Sequence, residues 1–198
     1  LTFNAGAGAY SAGKNESLVL GLILEDFESG DFSSYPWIMG GSQPWTVVDN
    51  EAYEGTYAAR SGAIDHSQTS SMSTTRILNS TGTLRFRYKV SSESGYDYLK
   101  FYIDGVQQDM WSGTIGWSEA SYELAEGTRE LSWQYSKDSS VSNGEDCAWV
   151  DYVIFPASNT PSSFYPPQNL RATPGDGRIS LTWEAPAIGS PSSYRVYR

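Results

Sequence analysis

Two residue types that carry much of enzyme chemistry are nearly missing from this 198-residue chain, which has one cysteine and one histidine. A single cysteine excludes an internal disulfide, and the lack of spaced Cys or His ligands argues against zinc. One Cys–His pair remains, Cys147 with His66. Cys147 opens an apolar strand, where a free cysteine acts as a small hydrophobe, and His66 lies in the polar stretch GAIDHSQTSS. No G-x-S-x-G elbow occurs, and no Gly-rich loop precedes a helix, so a serine nucleophile and a phosphate cradle find no support. No catalytic residue is therefore assigned. Basic residues are also few. The 13 Lys+Arg against 23 Asp+Glu leave a net charge of −10, which repels nucleic-acid phosphates and anionic lipid. The longest apolar run, residues 18–24, is seven residues with a glycine inside it. A membrane helix needs roughly 20, so no insertion into a bilayer is expected.

Aromatic residues are abundant at 14% of the chain, and apolar residues make up 39%, enough for a folded core. Their spacing is that of strands. Leu84, Phe86, Tyr88 and Val90 alternate with Thr83, Arg85, Arg87 and Lys89, a half-buried strand with one wet face. Leu99, Phe101 and Ile103 repeat the pattern, and Asp104-Gly105 closes it as a hairpin turn. Leu131, Trp133 and Tyr135 do the same, and CAWVDYVIF is a more continuous run of a deeper strand. No helical stripe of useful length occurs. The pattern predicts an all-β chain built as a sandwich of two antiparallel sheets.

Charge divides the chain. Residues 24–156 hold 20 acids and 8 bases, a net of −12, whereas residues 157–198 are mildly basic. The chain opens on Leu1 without a charged leader and reads as the interior of a longer protein. The expected organisation is a lead over 1–23, an acidic aromatic body over 24–156, a linker over 157–166 and a tail over 167–198. The lead is read as the end of a preceding immunoglobulin-like domain or as an added edge strand of the body.

The tail resembles the start of a fibronectin type III domain, on Pro167, Leu170, the turn PGDG at 174–177, Trp183 and the Tyr194/Val196 strand. Only the first three strands of that sandwich are present, so the tail is expected to be incomplete here. Limited proteolysis is expected to cut between Ala157 and Pro167 and leave a stable body; a protease-resistant tail would contradict this. The body resembles the cleaved-adhesin and MAM-like jelly-roll domains found in gingipain-type adhesin regions. The carrying segments are EDFESGDFSSYPW (25–37), PWTVVDNEAYEGTYAARSG (44–62), RFRYKVSSESGYDYLKFYIDG (85–105) and DCAWVDYVIFP (146–156). The resemblance implies an antiparallel jelly-roll β-sandwich, followed by a partial fibronectin type III sandwich.

The body's acids crowd at its two ends, with Glu25, Asp26 and Glu28 at the start and Glu145, Asp146 and Asp151 near the close. Hard cations such as Ca²⁺ take six to eight oxygens, carboxylates among them. The resemblance implies a structural Ca²⁺ joining first strand to last, held by Asp151 and by Asp26 or Glu28. Strand alternation would place Asp26 and Glu28 on one face opposite Phe27, and Trp149, Asp151 and Val153 together on another. Trp37, Trp45, Trp111 and Trp117 stand near Pro or Gly, in or beside predicted loops, and Tyr96 and Tyr98 flank Asp97. Such rings either pack in turns and core or form a platform on which sugars and protein side chains stack. The implied function is a non-catalytic adhesion or binding module of a multidomain bacterial surface or secreted protein. Its expected partners are a glycan or extracellular protein and other domains of the same chain. The alternative is an accessory domain of a secreted peptidase or glycoside hydrolase whose catalytic domain lies outside these residues.

Overall fold

The computed structural model describes residues 2–3, 23–156, 168–175 and 178–184. Among them there is no helix, and none long and apolar enough to cross a membrane. The chain divides into two compact units, Leu22–Ser158 and one that brings Leu1–Gly21 together with Asn159–Arg198. In the second unit, β13 (Gln168–Gly175) and β14 (Arg178–Glu184) form an antiparallel hairpin, and β1 (Thr2–Phe3) pairs with the other edge of β14 at Ser180 and Ile179. The expected linker and the Tyr194/Val196 strand lie outside the described residues.

The first unit is a sandwich of two antiparallel sheets, as the alternation predicts. One sheet runs β10 (Thr114–Leu124), β7 (Gly82–Ser91), β12 (Cys147–Phe155), β5 (Ala58–Arg60), β4 (Thr46–Val48), with β2 (Ile23–Glu25) also paired to β12. The other runs β3 (Ile38–Gly41), β6 (Thr69–Leu78), β11 (Gly127–Ser136), β8 (Tyr98–Ile103), β9 (Val106–Ser112). Leu84, Phe86, Tyr88 and Val90 of β7 face Leu99 and Phe101 of β8 and Leu131, Trp133 and Tyr135 of β11, all buried. Ile103 is half-buried, because it sits at the hairpin end of β8. Asp104-Gly105 makes the predicted two-residue turn with φ of 51° and 75°, the primed geometry that matches strand twist. The Asp104 carboxylate accepts the Glu130 N–H (2.8 Å) and pairs with Arg129 (2.7 Å). The Glu130 amide, then Arg129, hold its carboxyl below the usual carboxylate range.

Two expectations of alternation fail, each at a left-handed residue. β2 stops at Glu25, and Phe27 (φ 54°) turns the chain, so Asp26 and Glu28 lie in a loop and not on a strand face. In β12 the register against β7 shifts between Asp151 and Ile154, with Tyr152 at φ 51°. This bulge places one extra residue in the strand. Val150 and Val153 therefore both enter the core, while Val153 no longer shares a face with Trp149 and Asp151. Trp149 is fully buried outside that core, with Lys89 Nζ 4.8 Å and Arg60 Cζ 5.7 Å from its ring.

Candidate functional site

The loop of residues 49–57, between β4 and β5, is held to the outer side of the β12–β7–β10 sheet by three acids. Asp151, fully buried, accepts at Oδ2 from the N–H of Tyr53 (2.9 Å) and Glu54 (3.3 Å), and at Oδ1 from the N–H of Tyr152 (2.6 Å). Glu28 Oε1 accepts from the N–H of Thr56 and Tyr57, both at 2.8 Å. Gly55, between the amides held by Asp151 and those held by Glu28, has φ +75°, and a Cβ there would run into the Glu28 carboxylate, so the position favours glycine. Glu51 accepts from Trp117 Nε1 (2.7 Å) and pairs with Lys89 (2.6 Å).

Burial, joined by the charge of Glu28, pushes the Asp151 carboxyl up to about 7 against the pull of its three amide donors. Among the described residues neither Asp151 nor Glu28 has a lysine or arginine within ion-pair distance. An unpaired buried carboxylate is costly, so the pair suits a hard cation. Asp26 stands beside them and accepts the Glu28 N–H at 3.2 Å. Asp26, Glu28 and Asp151 do not, however, make a set of three converging carboxylate oxygens; Glu93, Asp97 and Asp138 do. Glu25, which alternation did not single out, is buried and accepts from the Phe27 N–H and from Trp37 Nε1, each at 3.0 Å. Its signal in the sequence is an acid directly after the apolar run of β2.

The six aromatic residues proposed as a platform do not gather in one place. Trp45 is 2% exposed and part of the core. Trp37 packs on Phe27 (5.9 Å between centroids) and Trp133 (5.7 Å), and Trp111 stacks on Tyr88 at 4.1 Å. Tyr96 is 59% exposed in the β7–β8 loop, and Tyr98 donates its hydroxyl to the Gly95 carbonyl (2.7 Å). Trp117 belongs to a different group. Its ring meets Tyr53 edge-on at 6.1 Å, and Tyr53 in turn lies 6.0 Å from Tyr152. Arg87 Cζ lies 4.5 Å above the Tyr53 ring and pairs with Glu119 at 2.8 Å. Tyr53 and Tyr152 were not legible as site residues, since one sits in a loop and the other in a strand whose bulge turns it outward.

This face joins three aromatic rings, none of them fully buried, to two cations and two acids. Rings of this kind stack on sugar C–H faces, and the flanking charges take hydroxyl hydrogen bonds. Cys147 shows no nucleophilic character. It is fully buried, and burial pushes its thiol up to about 11, whereas reactive thiols are lowered and exposed. His66 is exposed in its loop.

No family model matches the chain, and no curated protein matches it. Solved structures do. The K1 cleaved adhesin domain of Lys-gingipain from Porphyromonas gingivalis W83 matches at TM-score 0.53 and 15% identity, over 70% of this chain and 98% of that one. The CBM22-1 xylan-binding domain of Paenibacillus barcinonensis Xyn10C matches at TM-score 0.50 and 15% identity, over 73% and 100%. The secreted serine protease VesC from Vibrio cholerae matches at TM-score 0.49 and 19% identity, over 59% of this chain and about a quarter (24%) of that protein. At such identities the likeness is one of fold: the body has the jelly-roll sandwich of cleaved adhesin and carbohydrate-binding domains.

Proposed function

We propose that the body is a non-catalytic extracellular binding module whose ligand is a glycan, taken on the Tyr53–Trp117–Tyr152 face. The observation that carries this reading is the junction of three accessible rings with Arg87, Lys89, Glu51 and Glu119. Each ring has an apolar surface for a sugar, and each charge can exchange its partner for a hydroxyl. Support also comes from the fold, shared with a xylan-binding domain and with an adhesin domain. A structural Ca²⁺ belongs to the same reading, held by Glu28 and Asp151 with Asp26 beside them. Bound there, it would neutralise two carboxylates and brace the loop that carries Tyr53. The module serves within a longer secreted or surface chain, whose fibronectin type III-like hairpin is β13–β14.

Affinity electrophoresis against soluble xylan, galactan, mannan and host glycosaminoglycans tests this. Wild type is expected to be retarded by at least one polysaccharide. Tyr53→Ala and Trp117→Ala should each weaken that binding at least tenfold, equivalent to about 1.4 kcal/mol. Tyr96→Ala should leave it unchanged. Retention that follows Tyr96 instead would move the platform to the β7–β8 loop. Absence of retention by any polysaccharide, with capture by an extracellular protein, would replace the glycan with a protein ligand.

A further inference from the structure

A second group of acids lies apart from the residues used above. It is formed by the β7–β8 loop (residues 92–97) and the connection from β11 to β12 (residues 137–146). Glu93, Asp97 and Asp138 each bring a carboxylate oxygen within 4.8 Å of the other two. The loops are already tied there, since the Asp138 N–H donates to Asp97 Oδ1 at 2.9 Å. Two of the carboxylates remain incompletely satisfied. Asp97 is fully buried, and its Oδ2 takes no hydrogen bond; Glu93 Oε2 is likewise buried with no hydrogen bond. A buried acceptor left so costs on the order of 1–3 kcal/mol, more when charged, so native structures rarely keep one without a reason.

The cation at hand meets this need only in part. The side chain of Lys137 is 1% exposed, and its ammonium donates to Ser142 Oγ (2.7 Å) and to the Asp146 carboxylate. Asp146 also accepts from the Tyr135 hydroxyl at 3.0 Å. Lys137 Nζ also forms an ion pair with Asp97 Oδ2 at 3.7 Å, too long for a hydrogen bond. One positive charge, shared between Asp146 and Asp97, thus serves a group of four carboxylates that includes Glu93 and Asp138.

We propose that Glu93, Asp97 and Asp138 form a Ca²⁺ site distinct from Glu28 and Asp151. The donors are all oxygen, which suits a hard cation and not zinc or copper. Calcium–oxygen distances of about 2.3–2.6 Å allow two ligands of one ion to lie up to about 5 Å apart, a limit the three oxygens meet. Backbone carbonyls and water would complete the shell. The site has a structural consequence. The N–H groups of Tyr96 and Asp97 both donate to the Glu93 carbonyl, at 3.4 and 3.2 Å. A cation on the side chains of residues 93 and 97 brackets Tyr96 and fixes its exposed ring in place.

Calcium titration calorimetry on the chelated full chain is the test. The variant Glu93→Gln/Asp138→Asn changes two partly exposed acids and is expected to bind one Ca²⁺ fewer than wild type, while Asp151→Asn keeps this ion. Equal stoichiometry and affinity in wild type and the double variant would overturn the proposal. Hydrogen exchange on wild type gives a readout independent of any variant. Saturating Ca²⁺ is expected to slow exchange at least tenfold at the amides of residues 95–97 and 138–140. If these amides exchange equally fast with Ca²⁺ and with EDTA, the proposal fails.

Discussion

Asp151→Ala is expected to destabilise the body by about 3–5 kcal/mol and to abolish any calcium-dependent rise in Tm that involves the 49–57 loop. The substitution removes the acceptor of three N–H groups, those of Tyr53, Glu54 and Tyr152, and leaves them with nothing to replace it. In a domain of this size each kcal/mol moves Tm by about 2–4 °C or somewhat more, so a fall of about 10 °C or more is expected. Asp151→Asn separates charge from shape. With EDTA present, wild type keeps Asp151 neutral below about pH 4 in both folded and unfolded states. Because burial pushes the folded carboxyl up to about 7, the unfolded chain ionises first. The stability that Asp151 contributes is therefore whole below pH 4 and declines as pH rises through 7, by about 1.4 kcal/mol per unit. The wild-type-minus-Asn difference in Tm should fall across that window. Calcium held there as proposed would take the ionised form and should reverse the decline, by about 2.7 kcal/mol at 100 times its Kd. A difference curve flat from pH 4 to 8, with Tm equal in Ca²⁺ and EDTA, would leave Asp151 as a neutral acceptor of amides and no more.

Trp133→Ala should be comparably severe, with a loss of about 3–5 kcal/mol. Trp133 is fully buried on β11, between Phe101 (5.0 Å), Phe86 (5.2 Å) and Trp37 (5.7 Å), rings drawn from both sheets and the first loop. Removing it opens a cavity where the two sheets meet. Trp111→Ala, at the partly exposed edge of the same cluster, should cost clearly less. Denaturant melts of the two variants check this; equal losses would mean that the rim and the centre of the core carry the same load.

What could be read from the residues was whatever depends on period two. Leu84 to Val90, Leu99 to Phe101 and Leu131 to Tyr135 are buried in the order their alternation predicts, and Asp104-Gly105 turns where expected. Alternation failed at Phe27 and Tyr152, where a residue other than glycine leaves the strand region outside any turn the sequence signals. Nothing about Phe27 or Tyr152 announces a positive φ, yet those two residues decide which acids face the 49–57 loop. Asp151 was legible because an acid in an apolar run needs a partner, but its partners, the amides of Tyr53 and Glu54, are 98 and 97 positions away. Glu93, Asp97 and Asp138 were not legible as a set, since their convergence depends on how two loops close. Trp45 and Trp37 stood beside prolines in the sequence, but volume drew both rings into the core or onto it.

The pairing of β2 with β12 sets how the body answers a pull along the chain. Ile23 lies opposite Phe155, Leu24 opposite Ile154 and Glu25 opposite Val153, so the points where the polypeptide enters and leaves are neighbours on one ladder. Tension across them does not load those hydrogen bonds together, as in shear. It opens the ladder like a zipper, one rung after another, at low force. After three rungs the opening front reaches Glu28 and Asp151, whose bonds to the 49–57 loop lie off the ladder and resist together. In a protein held at a surface, the body would thus yield a short length of slack easily and then hold.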